Sequence, residues 1–150
     1  MTAPCLAALG FLLALADCSS QPNAPVMGAW QGNQPGADGL VPNSVDLVLR
    51  GGPDAKSGTY DIATVEHEAR SAPGTRRWGG PWVRSQRVID GRRLTVIDLR
   101  DALPVDISHY ALMPDGTLHA LTPEGTLGSA AMSQAYALAP VPAGSRRGRV

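Results

Sequence analysis

Cysteine is nearly absent from this chain. Only Cys5 and Cys18 occur, so everything after residue 18 lacks a disulfide, a thiolate for zinc or copper, and a cysteine nucleophile. Phenylalanine is scarcer still, with Phe11 alone. Aromatic burial beyond the N-terminus must therefore come from Trp30, Trp78, Trp82, Tyr60, Tyr110 and Tyr136. Neither sign of charge is in excess: 13 basic residues balance 13 acidic ones, and Lys56 is the sole lysine. That balance gives no electrostatic reason to expect a nucleic-acid partner. No G-x-S-x-G or H-E-x-x-H motif occurs. The longest apolar run, Leu6 to Ala16, has eleven residues, whereas a membrane-spanning helix needs about 20.

What is present at the N-terminus has the length of a secretory h-region, and small residues follow it. Leu15-Ala16-Asp17-Cys18 resembles the lipobox of bacterial lipoproteins, in which the cysteine becomes the acylated first residue. Asp17 stands where that family has Gly, Ala or Ser. Cleavage after Ala14-Leu15-Ala16 is the competing reading and would release a soluble periplasmic protein beginning at Asp17. The favoured division is a signal peptide at 1–17, a lipidated tether at 18–27, one domain at 28–139, and a disordered Pro/Gly/Arg tail at 140–150. Ser19, following Cys18, lacks the Asp that favours inner-membrane retention, so the periplasmic face of the outer membrane is the expected location.

Between the two ends the signals are short strands and tight turns. Val45, Leu47 and Leu49 alternate with polar positions, and residues 58–65 repeat the pattern with Tyr60 and Ile62 on one side. Asp90-Gly91 predicts a hairpin between Val88-Ile89 and 94–99. Pro114-Asp115-Gly116 joins 108–113 to 117–122 in the same way. Pro114-Asp-Gly-Thr-Leu118 returns nine residues later as Pro123-Glu-Gly-Thr-Leu127, the spacing of one strand and one turn. Residues 127–138 fit either a closing strand or a short helix. The pattern predicts an all-β fold, a small antiparallel lipocalin-like barrel or meander.

The landmarks run in the order Gly28-Ala-Trp30-Gln-Gly32, Pro35-Gly36-Ala37-Asp38-Gly39, Val45–Leu49, Gly58-Thr59-Tyr60, Arg77-Trp78-Gly79, then Tyr110-Ala-Leu112 into Gly116-Thr-Leu118 and Gly125. That order resembles the N-terminal domain of NlpE-type envelope lipoproteins. That resemblance implies a barrel on a lipid tether and an adapter or sensor role in envelope stress response. The family's paired cysteines are replaced here by Gly36 and Gly39, so its copper and redox chemistry does not carry over, and no cofactor is expected.

Candidate chemistry is sparse. His109 and His119 flank the Pro114–Gly116 turn, and a three-residue loop sets them diagonally on one face, about 7–8 Å apart. Two imidazoles without a third ligand make a poor metal site. His67 lies between Glu66 and Glu68, which face the other way on a strand. Asp98, Asp101 and Asp106 surround a Pro104 loop and read as salt-linked acids. Arg76, Arg77, Trp78, Trp82 and Arg84 form a candidate interaction patch, although either indole can instead plug the barrel. The reading is a monomeric, non-catalytic lipoprotein, anchored through Cys18 to a membrane and acting through an envelope protein partner. A carrier of a small apolar ligand is the alternative, with Val45, Leu47, Leu49, Tyr60 and Ile62 lining its cavity.

Overall fold

A computed structural model of the chain describes residues 26–34, 43–66, 74–101 and 108–142. The stretch expected to be a signal peptide, Cys18, Gly36, Gly39, His67, the Pro104 loop and residues 143–150 lie outside the described residues. In order come β1 (Val26–Gln34), β2 (Asn43–Arg50), β3 (Ser57–Glu66), β4 (Gly74–Ile89), β5 (Arg92–Leu99), β6 (His109–Leu112), β7 (Leu118–Ala120), α1 (Ala130–Ala135) and β8 (Ala139–Pro140). They form one antiparallel sheet in the order β7-β6-β5-β4-β3-β2-β1-β8. Its ends meet at the closing segment. Leu138 exchanges backbone hydrogen bonds of 2.8 and 2.9 Å with Leu118 of β7, and Ala139 and Pro140 lie against Gln31 and Trp30 of β1. The result is the expected all-β, nearly closed barrel.

Period-2 alternation explains the inner face. Val45, Leu47 and Leu49 of β2 face Thr64, Ile62 and Tyr60 of β3, all buried. The two turns in the near-repeat share one geometry. Met113 N–H donates to Thr117 O and Gly116 N–H to Met113 O, both at 2.9 Å; Thr122, Thr126 and Gly125 repeat this at 2.9 and 2.8 Å. Gly116 and Gly125 adopt φ of 86° and 79°, the left-handed conformation that ends such a three-residue loop. Asp90 and Gly91, at φ 49° and 75°, make the tighter two-residue turn between β4 and β5.

β4 departs most from expectation. It pairs with β3 through Gly74–Val83 and with β5 through Trp82–Ile89, so the two pairings overlap only at Trp82 and Val83. Gly79-Gly80-Pro81, which reads as a strand breaker, lies just before the changeover. A Cβ at Gly80 would sit 2.6 Å from the Arg100 carbonyl and 3.2 Å from the Tyr60 ring. Only glycine lets that ring and that carbonyl approach β4.

Residues 127–138 are helix and closing strand in turn: α1 is capped by Ser129, and Leu138 then joins the sheet. The tail boundary shifts as a consequence. Pro140 pairs with Trp30 and Val141 N–H donates to Ala29 O at 2.8 Å, so the domain runs to at least Val141, because β1 needs a partner on that edge. At the other end β1 begins at Val26, opposite Arg50, two residues inside the expected tether.

Candidate interaction surface

The inner cluster decides what remains outside. Trp30, Tyr60, Trp82 and Tyr110 are buried together with Leu47, Leu49, Ile62, Ile97, Leu118 and Leu138. Each polar tip is bonded. Trp82 Nε1–H donates to Arg50 O at 3.0 Å and Trp30 Nε1–H to Gly116 O at 2.9 Å. Tyr60 O–H is shared between the carbonyls of Arg100 and Asp101, 3.0 Å from each. Gln34 donates its amide N–H to Tyr110 OH inside the barrel. Burial, reinforced by the Asp101 carboxylate, pushes the Tyr60 phenol above its ordinary value.

The proposed patch of Arg76, Arg77, Trp78, Trp82 and Arg84 separates along β4. Even-numbered residues there face inward, so Trp82 is wholly buried and Trp78 packs half-buried against the core, opposite Ile62. Trp82 is a plug, and contributes nothing to an exposed surface. Arg76 pairs with Glu66 at 2.9 Å near one end of the barrel, and Arg77 is exposed. Arg84 is half-buried on the far side of Trp82, opposite Ile97, where β4 leaves β3.

A second cluster lies on the outer face of β4, β5 and β6. Ile89, Leu94, Val96, Ala111 and Leu121 are buried there, beneath the turn that carries Leu127. Asp98 borders it, with its side chain only 7 % exposed. Arg87 Nη2–H donates to one of its oxygens and His109 Nδ1 contacts the other, both at 2.8 Å. Neither partner is near in sequence; the register alone brings His109 opposite Asp98. Ser85 Oγ, opposite Val96 on the same face, is buried without a hydrogen-bond partner among the described residues.

The three-residue loop does set His109 and His119 on one face, with Ala111 opposite His119. They nevertheless engage different groups. His119 Nδ1 meets Ser133 Oγ of α1 at 2.5 Å, and Nε2 meets Thr117 Oγ1 at 3.1 Å. The Thr117 hydroxyl lies 2.7 Å from Asp115 Oδ1, and an ionised carboxylate can only accept. Thr117 therefore donates to Asp115 and accepts from His119 Nε2–H, while Nδ1 shares a second bond with Ser133 Oγ. The Thr117 hydroxyl, then its backbone N–H, hold the Asp115 carboxyl below its ordinary value. This chain of bonds fastens α1 to β7. Ser133 N–H is bonded to Ser129 O at 2.8 Å within the helix. Among the described residues no group of three or more His, Cys, Asp or Glu can hold a metal ion.

No protein-family model, curated protein or solved structure matches this chain.

What sequence reasoning missed is the charge on the β4–β5 hairpin. Arg84, Arg87, Arg92 and Arg93 fall within ten residues that contain one acid, Asp90. Arg87 is held by Asp98, while Arg84, Arg92 and Arg93 make no ion pair among the described residues. The signal was present in the sequence as R-x-x-R-x-x-x-x-R-R across a predicted turn.

Proposed function

We propose that this chain is an exported bacterial envelope lipoprotein whose barrel acts as a non-catalytic adapter or sensor, held by acylated Cys18 to the periplasmic face of the outer membrane. One observation carries the adapter reading. The barrel interior is taken up by aromatic side chains whose polar tips already bond to the protein itself, which leaves recognition to the outer surface. A lipocalin-like carrier ranks second, because Val45, Leu47, Leu49, Tyr60 and Ile62 belong to that same packed cluster. The resemblance to NlpE-type lipoproteins supports the tether and the adapter role together.

The test is intact mass and fractionation of the protein expressed in a bacterium from its own N-terminus. A membrane-bound species starting at Cys18 with added acyl chains is expected, and Cys18→Ala should move the protein to the soluble fraction. A soluble wild-type species starting at Asp17 would overturn the tether and favour a diffusible carrier.

A further inference from the structure

β4 outruns β3. The last paired residues are Ser57 and Val83, with one further bond from Arg84 N–H to Lys56 O at 2.7 Å. Beyond that point the strand continues to Ile89 with β5 on one side only. In an antiparallel strand the N–H and C=O of alternate residues point to the same side. Arg84 N–H points away from β5, so the backbone groups of Gln86 and Val88 point that way too. Among the described residues no strand lies beside them. Among the described residues this edge has neither a proline nor a bulge, two of the usual devices against strand addition, and the charges that flank it are arginines. Val88 instead presents an apolar side chain that is 69 % exposed.

Apart from Asp90 at the turn, and Asp98, which pairs with Arg87, the charges around this edge are arginines. Arg84 lies on the same face of the hairpin as Val88, and Arg93 is directly opposite Val88 on β5. Arg92 is exposed at the turn. A second copy of this strand laid along the edge would bring arginines against arginines, which is unfavourable for neighbouring strands. A segment carrying carboxylates would face opposite charges instead.

We propose that the Arg84–Val88 edge of β4 binds an extended acidic segment of a partner protein as an added strand. The segment's apolar residue lies beside Val88, and carboxylates at alternate positions on the same face reach Arg84 and Arg93. Main-chain bonds to Gln86 and Val88 hold the segment, and the arginines select it. This deepens the adapter reading and rests on it, since it names the partner's chemistry.

The test is fluorescence anisotropy of the full chain, purified from the expressing bacterium, with a labelled eight-residue peptide that sets valine and glutamates at alternate positions of one strand face and threonines on the other. Binding that weakens as salt rises is expected. Val88→Pro removes an outward N–H and leaves the β5 ladder intact, and should weaken binding about tenfold. Arg84→Glu with Arg93→Glu should weaken it at least as much, and should admit a lysine–valine peptide. Circular dichroism identical to wild type confirms that each variant folds. Val88→Pro binding as tightly as wild type would overturn the proposal. So would a wild-type dimer, seen by sedimentation without peptide and lost in Val88→Pro, because the occupant would then be a second copy. No binding by the wild type overturns the strand-addition site alone, since acylation of Cys18 is read independently by mass.

Discussion

Strand β5 carries an apolar cluster on each face, and the two are made of different side chains. Inward, Ile97 and Leu99 join Trp30, Tyr60, Trp82 and Tyr110. Outward, Leu94 and Val96 join Ile89, Ala111 and Leu121, with no aromatic residue among them. The inner aromatics do more than fill volume. Trp30 reaches the turn after β6, Trp82 the end of β2, and Tyr60 the carbonyls beyond β5. Each ties two parts of the barrel together, and the part of the chain after Cys18 has no disulfide to do so. The outer cluster has only packing to hold it, and its border contains both a well-bonded carboxylate, Asp98, and an unbonded hydroxyl, Ser85. Bonded tips make the inner side the stronger half of the fold.

That contrast can be broken most directly at Trp82. Trp82→Ala should cost about 3–5 kcal/mol, a large share of the stability of a domain this size, read as a lowered urea midpoint. Leu121→Ala on the outer side should cost less, about 2–3 kcal/mol. Equal losses for the two variants would erase the ranking. Tyr60→Phe isolates the bonded tip from the ring, and about 1 kcal/mol is expected. It should also change the alkaline limb. Burial favours the neutral phenol in the folded chain, so the stabilisation is fully present below the ordinary tyrosine range and falls as pH rises through it, where the unfolded chain ionises first. Urea midpoints followed from pH 8 upward should decline less steeply in Tyr60→Phe than in wild type. The smallest effect is Ser85→Ala, neutral or stabilising by about 0.5 kcal/mol, because no hydrogen bond is lost. A clear destabilisation would mean that the hydroxyl has a partner, such as a bound water.

Where the chain alternates strictly, sequence alone was enough. Val45–Leu49 and Tyr60–Ile62 face inward as their period requires, and the Pro114–Gly116 loop length set the β6–β7 register, including which residues share a face with Tyr110. Trp78 and Trp82 are four residues apart, a spacing that sets both on one side of a strand. It did not say which side, because a patch and a plug have the same spacing. The length of β4 was hidden by Gly79-Gly80-Pro81, where a close approach by Tyr60 outweighs strand propensity. The Asp98–His109 contact and the bond from His119 to Ser133 depend on pairings between distant segments, which composition and periodicity do not encode.

The way the sheet ends has a consequence for how it is made. Neighbours in the sheet are mostly neighbours in the chain, so most of the meander can zip up locally and early. The exception is Leu138–Val141, whose backbone lies between β7 and β1 and bridges the two ends of the sheet. Bringing together segments more than a hundred residues apart carries an entropic cost of about 4 kcal/mol, returned only when both edges are covered at once. Until that segment emerges from the ribosome, the nascent chain is an open ribbon with two unpaired margins.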